Sequence, residues 1–338
     1  MTRHIGRTAA ATAALVAVAL VAAACGHASG RSVTTSTSTR RATTTTAAPR
    51  PSTTRRRAPH PTSSTAPATL PPITVPPTVA APAPTTPPAS APLAAGATTT
   101  LVVTNGGRTL PTTLTIPPGA RPWPTVVFAA GYDIEPAAYE QLTHSWAAAG
   151  YLVAAPASPG MAPSQGPVTE AQLPNVPGDL SAVATRVVAD GLADPGRLAA
   201  VGHSDGASAV GALALTADHA DARFRAFVVL AGDITTLPDA YGPRNAAPLL
   251  AATGDADEFD NAVLTPQLYR TAAAPKALVV AHGGSHLGSF LGDTPQATAM
   301  RAAIVDFLGA SLGHAPWSPL AGLNGQAGLT VTSSGLPG

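Results

Sequence analysis

Between Thr125 and Leu312, short and almost wholly apolar runs alternate with longer stretches of helical pattern, and this alternation restricts the chain to one architectural class. Thr125-Val126-Val127-Phe128-Ala129, Tyr151 to Ala155, Arg197 to Gly202, Ala226 to Leu230, Pro248 to Thr253 and Ala277 to Ala281 are strand-length runs. Such runs have little room for a solvent-facing side, which predicts strands of a parallel sheet covered on both faces. Helices are predicted from about Pro136 to Ala149, from Asp179 to Leu192, from Gly206 to Ala217, near Thr265 to Ala273 and near Pro295 to Leu312. Ahead of them, Leu101-Val102-Val103 and Leu114-Thr115-Ile116 flank Asn105-Gly106-Gly107, the pattern of an antiparallel hairpin. The expectation is an α/β domain over residues 99–312, with about eight mostly parallel strands and helices on both faces. Neither an internal repeat nor a glycine-rich dinucleotide loop is visible.

The rest of the chain is of another kind. All 18 acidic residues fall at or after Asp133, whereas eleven of the 19 basic residues, all Arg, precede it. The formal charge of +1 therefore hides a basic N-terminal part and an acidic remainder, which argues against nucleic acid as a partner of the folded domain. From Ala28 to Thr98 there are 18 Thr, 14 Pro and 8 Ser with no acidic residue. Too little apolar surface is available there to offset ordering entropy, so residues 26–98 are expected to be a disordered stalk, and 313–338, rich in Gly, Pro and Ser, a flexible tail.

Arg3 and Arg7 precede an apolar stretch from Ala9 to Ala24 broken only by Thr12, the profile of an export signal over residues 1–25. Val21-Ala22-Ala23-Ala24-Cys25-Gly26 resembles a bacterial lipobox, whose cysteine is lipidated. A cell-surface lipoprotein held to the membrane at Cys25 is expected, with plain secretion the alternative, since Ala22 stands where many lipoboxes have Leu. As the single cysteine, Cys25 excludes an intramolecular disulfide and any cysteine-based zinc site.

Gly202-His203-Ser204-Asp205-Gly206 fits G-x-S-x-G at a predicted strand-to-helix turn. In such an elbow the glycines Gly202 and Gly206 make room for a tightly bent nucleophile, and Ser204 stands at the head of a helix. A serine nucleophile needs a base, and the base needs an orienting carboxylate. Downstream, Asp255-Ala256-Asp257-Glu258 follows one predicted strand and Gly283-Gly284-Ser285-His286 the next, giving Ser204, Asp257 and His286, with Asp257 taken ahead of Asp255. Backbone N–H groups of Asp205 and Tyr132 are the candidate oxyanion donors. His203 is read as packed or bonded nearby rather than as the base. The interval between His282 and His286 is not read as a metal site, because Gly283-Gly284 argues against a helix between them.

These residues resemble the α/β-hydrolase fold, and within it the bacterial cutinase, polyester-hydrolase and chlorophyllase-like esterase group, related to dienelactone hydrolases. The resemblance spans about Thr125 to Leu308 through Gly131-Tyr132, Asp194-Pro195-Gly196-Arg197-Leu198, Gly202 to Gly206 and Ser285-His286. The family's acid lies three residues after the glycine of its loop, which implies Asp257, and its oxyanion turn corresponds to Gly131-Tyr132. Two departures stand out: Asp205 replaces the usual Met, and Leu230-Ala231-Gly232-Asp233 lacks the family's substrate-binding Trp.

The resemblance implies a serine esterase acting on small or medium acyl esters; a domain of residues 99–312 leaves little room for a lid, and no cofactor or metal is expected. A monomer is favoured. A retired hydrolase fold acting as a surface binding module, and an acyltransferase using the same triad, are the other readings.

Overall fold

The computed structural model describes residues 94–336, apart from 238, 239, 246, 260 and 314. The expected export signal, Cys25 and the stalk up to residue 93 lie outside the described residues.

The domain opens with a hairpin, β1 (Thr98–Asn105) and β2 (Arg108–Thr115). Its two-residue turn, Gly106-Gly107, has φ of +53° and +82°. Positive φ at both central positions matches the right-handed twist of the flanking strands, and glycine adopts it without steric cost. Seven more strands follow: β3 (Trp123–Ala129), β4 (Leu152–Pro156), β5 (Ala193–His203), β6 (Phe224–Leu230), β7 (Leu249–Gly254), β8 (Lys276–Ala281) and β9 (Leu329–Ser334). They form one sheet in the order β1-β2-β4-β3-β5-β6-β7-β8-β9. The stretch from β4 to β8 is parallel, and antiparallel pairs flank it on both sides.

Helices α1 (Glu140–Ala148), α2 (Val176–Ala189), α3 (Asp205–Leu215), α4 (Asn261–Thr271), α5 (Pro295–Ser311) and α6 (Ser318–Gly322) cover the sheet, with short 3₁₀ turns at Pro136–Tyr139, Pro163–Gln165 and Glu170–Asn175. Side chains alternate across each strand, so β3 feeds two cores. Val127 and Ala129 join Leu180, Val183, Val210 and Leu213 of α2 and α3 on one face. Val126 and Phe128 join Leu142 and Trp146 of α1 and Ile304 and Phe307 of α5 on the other. This two-sided cover is why the parallel strands are apolar throughout.

A buried ion pair fastens the hairpin to α2. Asp179 has no exposed side-chain surface and accepts from Arg108 Nη2 at 2.8 Å, Arg108 Nε at 3.0 Å and Asn105 Nδ2 at 2.9 Å.

Two expectations are corrected. Helix α2 starts and stops three residues earlier than predicted, because Gly191 at φ +66° ends it in the left-handed conformation common after a helix. More consequentially, residues 313–338 are not a structureless tail. They include α6 and β9, and β9 pairs antiparallel with β8 from Ala281↔Leu329 to Lys276↔Ser334, making nine strands rather than about eight. Only Leu329 of this edge strand is buried; backbone pairing holds it, so it carries almost no apolar signature.

Candidate active site

Strand β5 ends at His203 and α3 begins at Asp205, which leaves Ser204 to make the whole turn at φ 56°, ψ −129°. This is left-handed backbone at a non-glycine residue, a conformation that costs about 1–3 kcal/mol and persists only where its surroundings impose it. Here a hydrogen bond from Ser204 N–H to the Leu230 carbonyl, 2.9 Å, fixes the turn to β6. Glycine on both sides is a matter of space. A β-carbon on Gly202 would lie 2.7 Å from the Ala207 nitrogen, and one on Gly206 would lie 2.7 Å from the Ala129 carbonyl carbon, closer still to the Ala129 and Ala130 oxygens.

The loop after β7 carries both candidate acids, and the structure separates them. Asp257, its side chain fully buried, accepts from His286 Nδ1 at 2.8 Å and from the Phe259 N–H at 2.9 Å. Burial pushes its carboxyl up, but hydrogen bonds from His286, Phe259 and Asn261 outweigh it and hold the group below the usual carboxylate range. Asp255 instead pairs with His282 Nδ1 at 2.8 Å and caps the Gly283 N–H, while His282 Nε2 meets Thr330 Oγ1 of β9 at 2.7 Å. The two histidines therefore serve different carboxylates. Among the described residues, no group of three His, Cys, Asp or Glu side chains is arranged to hold a metal.

Ser204, Asp205, Tyr132 and His286 line one cavity of about 500 Å³. No hydrogen bond among those of the described residues joins Ser204 to His286. In serine hydrolysis this contact is needed only once substrate binds, when catalytic hydrogen bonds tighten. Asp205, first residue of α3, has an N–H without an acceptor in its own helix. Tyr132 follows Gly131, whose Cα packs so that a β-carbon there would lie 3.1 Å from Ser204 Cβ. The N–H groups of Asp205 and Tyr132 thus lie on the two turns flanking the serine.

Several further residues at the site had no role assigned from the sequence. Glu258 accepts from the His286 N–H at 3.0 Å, fastening the histidine's main chain to the acid's loop. Phe259 and Leu287, both exposed, form an apolar wall, and the Phe259 ring stands edge-on to His286 with centroids 4.8 Å apart. Glu170 and Asp233 line the same cavity beside Asp205. Burial first, and then the negative charges of Asp233 and Glu170, push the Asp205 carboxyl up to about 6. Of these, Glu258, adjacent to Asp257, and Asp233, at the place of the resembled family's substrate-binding Trp, could have been picked out from the sequence as carboxylates near the site.

His203 is fully buried, its ring 4.6 Å from that of His286. His144 lies exposed on α1, away from this cavity, beside the threonines of β1 and β2.

The chlorophyllase family model matches residues 98–233, from the hairpin through the elbow to the residue after Gly232. No curated protein matches the chain. Among solved structures, the ferulic acid esterase of Streptomyces cinnamoneus superposes with a TM-score of 0.56 at 18% identity, covering 73% of this chain and 98% of that one. A puromycin-hydrolyzing peptidase of Mycobacterium tuberculosis gives 0.54 at 20% identity over 68% of this chain, which spans only 41% of the peptidase. Thermogutta terrifontis esterase 2 gives 0.50 at 17% identity, covering 63% and 94%. With its sheet order and these likenesses, the chain has the α/β-hydrolase fold.

Proposed function

We propose that this chain is an exported serine hydrolase that cleaves carboxylic esters. One observation carries the reading: a serine held at φ 56° on a strand-to-helix elbow shares its cavity with a histidine whose Nδ1 is hydrogen-bonded at 2.8 Å to a buried carboxylate. A buried aspartate accepting at Nδ1 leaves the imidazole's proton on that nitrogen, so Nε2 is free to act as base. Ser204 Oγ attacks the ester carbonyl as His286 takes its proton, and the oxyanion is met by the N–H groups of Asp205 and Tyr132. His286 then gives the proton to the departing alcohol, leaving an acyl-enzyme. Water, deprotonated by His286, attacks that acyl carbon and releases the carboxylic acid with Ser204 restored.

The lining supports a substrate class. Tyr132, Ile134, Phe259 and Leu287 offer apolar contact, while Glu170, Asp205 and Asp233 add negative charge, and among the described residues no lysine or arginine lines the cavity. Neutral or cationic esters of small or medium acids suit such a cavity and anionic ones do not. The export signal and lipidation at Cys25 stay part of the proposal on the strength of residues 1–26 alone.

The test is hydrolysis of p-nitrophenyl acetate and butyrate, with labelling by an active-serine phosphonate. Ser204→Ala is expected to lose activity by on the order of 10⁵-fold and all labelling. A wild-type protein that neither turns over these esters nor labels would defeat the serine-hydrolase reading and favour a surface binding module. Ester product formed with an added alcohol, in preference to free acid, marks a transferase.

A further inference from the structure

Tyr139 and His203 are both fully buried, and neither takes part in the chemistry just described. Their hydrogen bonds form an unbroken line. The Gly131 N–H donates to Tyr139 Oη at 3.2 Å, Tyr139 Oη lies 2.8 Å from His203 Nδ1, and His203 Nε2 lies 3.1 Å from the main-chain oxygen of His286. A carbonyl oxygen can only accept, which puts the ring proton of His203 on Nε2. Nδ1 is then an acceptor, and the phenol must donate to it while receiving from Gly131. Every proton position in the line follows from its last member.

The line joins three parts of the site that come from distant stretches of chain. Gly131 precedes Tyr132, His203 is bonded covalently to Ser204, and His286 is the base. Resting on the serine-hydrolase reading, we infer that Tyr139 and His203 are positioning residues that hold the oxyanion turn, the nucleophile elbow and the main chain of His286 in mutual register. The rings around the line leave it little freedom: Phe128 packs edge-on to Tyr139 at 5.0 Å between centroids, and Phe290 to His203 at 5.5 Å. Burial, and then the neighbouring His286, push the His203 imidazole down to about 3, while burial pushes the Tyr139 phenol up, so both stay neutral. A neutral His203 also spares His286 a second cation at close range when it becomes an imidazolium.

The experiment compares Tyr139→Phe, His203→Phe and His203→Gln with wild type, each normalised to the sites titrated by the phosphonate. Tyr139→Phe removes one oxygen and keeps the ring packing; it is expected to lower kcat per titrated site by about 10- to 100-fold with KM within about twofold, as a displacement approaching 1 Å does. His203→Phe is expected to match or exceed that loss. His203→Gln, which retains a donor that can reach the His286 carbonyl, is expected to recover part of it. Nitrogen NMR of the wild-type imidazoles should place the His203 proton on Nε2.

A merely structural role would lower the melting temperature and the titratable fraction while leaving kcat per titrated site unchanged. The inference is overturned if Tyr139→Phe keeps kcat within twofold, or if the His203 proton is found on Nδ1. Should His203→Phe fail to fold, Tyr139→Phe and the NMR assignment still decide the matter. A wild-type protein without phosphonate labelling would instead defeat the hydrolase reading itself.

Discussion

Gly206→Ala tests whether the elbow is as tightly fitted as its geometry requires. Gly206 is the second residue of α3, where alanine is ordinarily the better helix former by up to about 1 kcal/mol. The structure reverses that expectation. The added carbon would sit 2.7 Å from the carbonyl carbon of Ala129 and nearer to the oxygens of Ala129 and Ala130, all of them backbone atoms with no rotamer to yield. Restoring contact distance requires α3 and the end of β3 to part by something approaching ~1 Å, and overpacking of this kind costs about 1–3 kcal/mol. In a domain of this size that is a fall of roughly 2–10 °C in melting temperature. The parting segments bear Ser204 on one side and the Gly131-Tyr132 turn on the other, so kcat/KM should drop by about 100-fold. Thermal unfolding and p-nitrophenyl butyrate hydrolysis measure the two effects. Gly211→Ala, in the same helix, is the control: the one close contact of its β-carbon is Leu268 Cδ1, at 2.8 Å, the far end of a side chain, while the Asp233 main-chain oxygen lies at an ordinary 4.0 Å. Near wild-type activity is expected there. A Gly206→Ala protein with unaltered melting and kcat/KM would refute the reasoning.

Three further outcomes are expected. Arg108→Met removes the cation from Asp179 and leaves a carboxylate without exposed surface, which should destabilise the protein by about 3–5 kcal/mol in denaturant unfolding; a loss below about 1 kcal/mol would mean that solvent reaches Asp179. Asp205→Asn should favour anionic over cationic p-nitrophenyl esters relative to wild type by several-fold, an effect that shrinks with added salt. Because burial and its acidic neighbours raise Asp205 to about 6 from an unfolded value near ~3.9, its stabilising contribution is complete below pH ~4 and is lost as pH rises through about 6. Asp205→Asn has no such loss, so its melting temperature should gain on wild type between pH 4 and 7. A difference that stays constant over this interval contradicts the assignment.

The parallel sheet and the elbow at Ser204 were legible because both leave local marks. Strands buried on two faces must be apolar, and a bend like that at Ser204 demands glycine at Gly202 and Gly206. Asp257 and His286 could be proposed because each follows such a strand. What escaped were features whose meaning depends on distant partners. Glu170, Phe259 and Tyr139 look like ordinary loop or helix residues until the fold brings them around Ser204 or His203. Helix α2 was misplaced because Pro177 and Asp179 both suit a first turn, and the actual start rests on the preceding turn of Glu170–Asn175. Strand β9 escaped because it offers the sheet hydrogen-bonding groups and a single buried side chain.

That strand also closes an edge of the sheet. Synthesis delivers Ser204, Asp257 and His286 well before Leu329, yet until β9 docks, β8 is an open edge able to pair with another chain. Docking brings Thr330 to His282, and His282 to Asp255 in the loop that presents Asp257. A nascent or clipped molecule lacking these residues would keep Ser204 but lose a prop of the loop that bears Asp257; on the serine-hydrolase reading, the Asp257–His286 pair is fully supported only when the sheet is sealed.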